Sequence, residues 1–101
     1  MTKLSGFQRY VGEWNVKTFP DSTFKGHIHH IKKEVDELEE AYLSSNDYHV
    51  AQETADVFIM LLSIAHRLKF DLMDEAANKM RILLRRKWQH PDENEVIEHV
   101  R

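Results

Sequence analysis

"IKKEVDELEEAYLSSNDYHVAQETADVFIML", residues 31–61, carries two carboxylate pairs at matched spacing: Glu34 with Glu37, and Glu53 with Asp56. "SSND" (44–47) separates them and offers several residues suited to starting a helix. Before this break, Ile28, Ile31, Val35, Leu38 and Tyr42 recur at steps of three and four, the period of one helical face. After it, Val57 to Ala65 is apolar except for Ser63. The stretch therefore reads as two helices joined by a short turn, each with an acid pair at the edge of its apolar face. The expected fold follows from it: all-α.

Outward from this stretch the same period continues. A first helix is expected from about Ser5 to Thr18, carried by Phe7, Tyr10, Val11 and Trp14, and ended by the breakers of "FPDSTFKG" (19–26). The second should run from about His27 to Leu43 and the third from about His49 to Leu68. Asp71 can cap a fourth, from about Leu72 to Trp88, with Pro91 beyond it. Residues 92–101 are expected to be a tail or a short helix. The stripe Ile31, Val35, Leu38, Tyr42 should face the core. The third helix, apolar on nearly every side, should lie at the centre of a bundle or in a subunit interface.

Composition narrows the class. With 101 residues, a single domain over 1–101 is expected. Hydrophobic residues make up 42% and charged residues 31%, as in ordinary globular chains rather than disordered ones. Cysteine is absent, which removes disulfides and thiolate metal sites and suits a reducing compartment. No apolar run approaches the roughly 20 residues that cross a bilayer, and nothing at the start reads as a signal peptide. A cytoplasmic protein without a membrane partner is the expectation. The formal net charge of −3 gives no overall attraction to nucleic acid. "KMRILLRRKW" (79–88) nevertheless holds five cations in ten positions.

At about 100° per residue, Glu34 falls at one edge of the second helix's stripe, with Glu37 and His30 just beyond. Glu53 and Asp56 share a side of the third helix, and Lys79 and Arg86 an edge of the fourth. Like charges bordering a dry core repel one another and lose hydration. A hard divalent cation compensates; Mg²⁺ takes carboxylate and water oxygens and commonly shares itself with phosphates. Taken singly, each feature also reads as an ordinary solvated helix face, as first-turn acids opposing the helix dipole, or as a basic terminal helix. Two acid pairs on consecutive helices, with cations nearby, point instead to phosphoryl chemistry.

"Glu34-x-x-Glu37", fifteen intervening residues, then "Glu53-x-x-Asp56" resembles the ExxE…ExxD signature of the all-α, MazG-like nucleotide pyrophosphohydrolases. "GHIHHIKKEVDELEEA", "ETADVFIMLLSIAHRL" and "AANKMRILLRRKW" are similar to its dATP/dGTP diphosphohydrolase branch, which includes phage enzymes converting dGTP to dGMP. The likeness runs from "EWNVKTF" (13–19) to Trp88, with Gly26, His30, Lys79 and Arg86 at matching offsets.

The resemblance implies a four-helix bundle-like subunit in which Glu34, Glu37, Glu53 and Asp56 bind two or three Mg²⁺ or Mn²⁺ ions. Water would attack the α-phosphorus of a deoxynucleoside triphosphate, with Glu37 helping to deprotonate it. Lys79 and Arg86 would contact the phosphates, and His30 and Trp14 complete the expected substrate contacts. It also implies a homo-oligomer, most often a tetramer, whose neighbouring chains complete each pocket. One departure stands out: Leu83 occupies the place where the family is expected to carry Asn. Phosphoribosyl-ATP hydrolysis on the same fold remains an alternative. So do a helical nucleic-acid-binding module using residues 79–88 and a family member acting only in assembly.

Overall fold

The computed structural model describes residues 3–98, and the rest of the predicted 92–101 segment lies outside them. Among the described residues are four helices and no strand element: α1 (Lys3–Thr18), α2 (Phe24–Leu43), α3 (Asp47–Arg67) and α4 (Leu72–Leu83). The all-α expectation holds. Among the described residues no helix is long and apolar enough to cross a membrane.

Side-chain caps set the starts. Thr23 Oγ1 accepts from the Gly26 N–H at 3.0 Å, which begins α2 three residues before the expected His27. Asn46 Oδ1 accepts from His49 N–H at 3.2 Å to begin α3, and Asp71 Oδ1 from Asp74 N–H at 3.0 Å to begin α4. The ends of α2 and α3 share one device. Ser45 N–H donates to Tyr42 C=O and Asn46 N–H to Ala41 C=O; Lys69 N–H donates to His66 C=O and Phe70 N–H to Ala65 C=O. This is the Schellman pattern, and it places Ser45 (φ 55°) and Lys69 (φ 63°) in the left-handed region without a glycine.

α3 packs against α2 on one side and α1 on the other, while α4 lies along α1. Gly12 permits the α1–α3 approach: a Cβ there would meet His66 Cγ at 2.0 Å and His66 Cβ at 2.4 Å. Gln8 ties in the start of α4, its Nε2 donating to Phe70 C=O at 2.7 Å and its Oε1 accepting from Leu72 N–H at 3.0 Å. Ser5 adds a hydrogen bond to the Asp71 carboxylate. The buried set is small: Val11, Ala41, Met60, Leu62 and Ala65, with Gln8, Asn15, His27 and Ser63 among them.

Three expectations need correction. First, the Ile31–Val35–Leu38–Tyr42 stripe faces the core of the single chain only in part, with Ile31 and Leu38 half-buried. Val35 is 45% and Tyr42 73% exposed, because α2 turns His27, Glu34 and Ala41 toward α3 instead. Second, α3 is not buried all round by its own chain, since Phe58 and Leu61 are exposed; of the two expected settings, bundle centre or subunit interface, the single chain does not supply the first. Third, α4 stops at Leu83 rather than Trp88. Arg85 and Arg86 N–H bond three residues back, to Ile82 and Leu83, tightening the chain out of the helix. Residues 92–98 then form no helix; they are exposed and folded by turns. Asp92 Oδ1 accepts from Asn94 and Val96 N–H at 2.8 Å each, and Gln89 N–H reaches Glu98 C=O at 2.7 Å, reversing the chain.

The single chain is loosely closed. Its radius of gyration is 15.9 Å, against about 13 Å for a compact domain of 100 residues. Its accessible surface of 8286 Å² exceeds the roughly 6,000 Å² expected of a compact chain of this mass.

Candidate active site

The rotation of α2 that leaves Val35 and Tyr42 exposed brings Glu34 and Glu37 to half-buried positions facing α3. Glu34 and Glu37, one turn apart on α2, meet Glu53 of α3, and one carboxylate oxygen of each lies within 4.8 Å of the other two. Asp56, one turn along α3, is more exposed; it adds its charge to Glu53 and lines the adjoining cavity with Glu34. Glu34 Oε1 sits 3.2 Å from His30 Nε2 on the same helix. The opposite oxygen, Oε2, is buried without a protein partner, and so is Oε2 of Glu53.

The electrostatics follow from that crowding. Burial pushes the Glu53 carboxyl above its ordinary value, and the hydrogen-bonding approach of Glu34 with the charges of Glu37, Glu34 and Asp56 pushes it the same way. Two carboxylates share a hydrogen bond only when one holds a proton. A divalent cation serves both groups better, since each orphaned oxygen becomes a ligand and the repulsion is screened at its source. The donors are all hard oxygens, and the chain has no cysteine, which fits Mg²⁺ or Mn²⁺ rather than a thiophilic metal.

Beside the acids a cavity of about 440 Å³ opens between α1, α2 and α3. Phe7, Tyr10 and Trp14 of α1 form an aromatic wall, with Trp14 set edge-on to Phe19 at 5.7 Å between ring centroids. His30 lines it too, so His30 and Trp14 stand where a substrate beside the acids would meet them. Lys79 and Arg86 line none of the cavities described and lie apart from the acids within one chain. Lys79 projects from α4, which packs on α1, and Arg86 falls beyond the helix end. The single helical edge expected to carry both cations is therefore interrupted.

Three polar residues near the cavity escaped the sequence reading. Asn15, 1% exposed, accepts from Arg67 Nε through Oδ1 at 2.9 Å. Arg67 also donates to the Asn15 and Phe19 carbonyls, at 3.2 and 3.0 Å, closing the end of α1. His27, 5% exposed, has an unpartnered Nε2. Burial, then Arg67 and His30, hold its pKa below the ordinary value. One signal was available: Gln8 and Asn15 stand seven residues apart, flanking Val11, at the spacing of a buried stripe.

The family model for dATP/dGTP pyrophosphohydrolase matches residues 7–101. A dATP/dGTP diphosphohydrolase of Salmonella phage PMBT28 is 41% identical over 86 residues, 85% of this chain. The chain spans 28% of that relative's length. Among solved structures, the MazG-like pyrophosphohydrolase of cyanophage S-2L, bound to dGDP and three catalytic Mn²⁺ ions per active site, superposes with a TM-score of 0.77 at 25% identity. All of both chains is covered. With the helices, the acid trio and the adjoining cavity in place, the chain belongs to the dATP/dGTP pyrophosphohydrolase family.

Proposed function

We propose that this chain forms a single domain over 1–101 that hydrolyses purine deoxynucleoside triphosphates to the monophosphate and pyrophosphate, using divalent metal. The observation that carries this reading is the meeting of Glu34, Glu37 and Glu53 beside an aromatic cavity, with two carboxylate oxygens lacking partners. Mg²⁺ or Mn²⁺, two or three ions held by these acids and Asp56, would supply charge neutralisation at the phosphates and lower the pKa of a water.

The chain's own residues then divide the work. His30 holds Glu34 in place, and Glu37 takes the proton as water attacks the α-phosphorus. Trp14 offers a flat apolar surface to the base. Lys79 and Arg86 are the cations we assign to the distal phosphates and the departing pyrophosphate. Because they lie apart from the acids of one chain, they act where subunits meet. The excess surface, the exposed Val35 and Tyr42 of α2, and Phe58 and Leu61 on α3 favour a homo-oligomer, a tetramer by our reading. The host cytoplasm, where nucleotides are made and used, is the compartment this activity suits.

The test is to incubate the protein with each common dNTP in Mn²⁺ or Mg²⁺ and separate the products. The reading expects dGMP and dAMP with pyrophosphate, and no turnover in EDTA. Inertness toward every dNTP with metal supplied would overturn it.

A further inference from the structure

We propose that Asn15 and His27 read the N7 edge of the substrate's purine base, and that Arg67 fixes which atom Asn15 presents to it. This rests on the reading that the substrate is a nucleotide.

The cavity beside the acids adjoins a second one of about 310 Å³, and Asn15, Phe19, His30 and Met60 line both. The acids stand at one end of this groove and His27 at the other. A nucleotide with its phosphates at Glu34 and Asp56 would lay its base along the aromatic wall, with the far edge toward Asn15 and His27. Elsewhere that wall is apolar and makes no distinction between bases, because every base has a stacking face. Discrimination requires polar atoms at the floor, and these two residues supply them.

Both are buried, and His27 carries an orphaned nitrogen, Nε2. For Asn15 the chemistry of Arg67 settles the orientation: a guanidinium only donates, so the amide oxygen must face Arg67 Nε and the NH₂ turns away from it. The second Arg67 nitrogen grips the Asn15 and Phe19 carbonyls, so the clamp cannot drift. Asn15 thus offers a donor and requires an acceptor. Purine N7 is an acceptor that guanine and adenine share. A single pyrimidine ring stacked on the same wall stops short of the floor and leaves Asn15 and His27 unsatisfied, which penalises it. Arg67 acts as a positioning residue, distant from the base itself.

The test is calorimetric binding of dGMP, 7-deaza-dGMP and dCMP in EDTA, so that turnover plays no part, with dGTP hydrolysis in Mn²⁺ measured alongside. Wild-type protein should bind dGMP in preference to dCMP and bind 7-deaza-dGMP at least about tenfold more weakly than dGMP. Asn15→Asp, which keeps an acceptor for Arg67, should weaken dGMP by roughly 10²-fold and dCMP by less than about threefold. Arg67→Met frees the amide to turn and should shrink the dGMP/dCMP ratio rather than lower both affinities together. Equal binding of dGMP and its 7-deaza analogue, or an equal loss of both nucleotides in Asn15→Asp, would overturn the proposal while dGTP hydrolysis stood. Base-selective binding that depends on Asn15, without hydrolysis, would uphold it and sink the hydrolase reading instead.

Discussion

Replacing Gly12 by alanine adds one methyl group where α1 crosses α3, and the structure fixes what that methyl meets. His66 Cγ would lie at 2.0 Å and His66 Cβ at 2.4 Å, whereas carbon atoms settle at about 3.5–4.0 Å. A rotamer change can carry Cγ away but not Cβ, which is set by the α3 backbone. The helices must therefore part by about 1.1 Å at the crossing, where Val11 and Ala65 pack. Overpacking this severe costs about 3 kcal/mol; the better helix propensity of alanine returns about 1 kcal/mol, leaving a net loss of about 2 kcal/mol and a fall in Tm of roughly 10 °C for a domain of this size. Thermal denaturation followed by circular dichroism measures it. The geometry also dictates the rescue. Gly12→Ala with His66→Ala should remain destabilised because Cβ persists. Gly12→Ala with His66→Gly should exceed the sum of its single variants, although His66→Gly alone costs about 1 kcal/mol in helix propensity. A Gly12→Ala Tm within 2 °C of wild type, read against the ~10 °C expected, would refute this account of the α1–α3 contact.

The Glu53 carboxyl is raised in the folded chain, so its ionisation opposes folding: the penalty appears as pH rises above 4.5 and is complete above the folded pKa. Glu53→Gln should therefore raise the metal-free Tm at pH 7 while abolishing dNTP turnover; a lower Tm, or turnover retained with metal, would contradict the site. For the same reason Mn²⁺ should raise the wild-type Tm more at pH 7 than at pH 5, checked by thermal shift in EDTA-treated protein. Asp71 behaves in the opposite sense. Its hydrogen bonds from Ser5 and the Asp74 backbone hold its pKa below 3.8, so the stability it lends is present above that pH and lost as pH falls through the folded value. Asp71→Ala should lower Tm at pH 7 and narrow the difference from wild type in strong acid. Ser45→Gly, relieving a left-handed residue after α2, should stabilise the chain by about 1 kcal/mol, measured by urea denaturation.

What could be read from the sequence was local. The starts of α3 and α4 were legible because Asn46 and Asp71 cap them through neighbours three residues on. The acid trio was legible because three-residue spacing puts two carboxylates on one helical face. The rotation of α2 was not, since an apolar stripe and an acid edge compete for the interior and only α3 decides between them. The ends of α2 and α3 carry no glycine, so their left-handed caps left no mark in the pattern. Asn15, Arg67 and His27 are joined across 52 residues or by burial alone, which no periodicity reports. Leu83 at the end of α4 is half-buried, and nothing in the structure explains its standing where Asn was expected.

In the mechanism we propose, the acids gathered by α2 and α3 direct water to one phosphorus atom. Hydrolysis of dGTP in ¹⁸O-labelled water with Mn²⁺, followed by mass spectrometry of the products, tests it most directly. The label should appear in dGMP, with unlabelled pyrophosphate released in the same step, no dGDP accumulating, and no product from Glu53→Gln. Label in orthophosphate with dGDP building up would mean that the γ-phosphate is cleaved and that the carboxylates serve a different reaction.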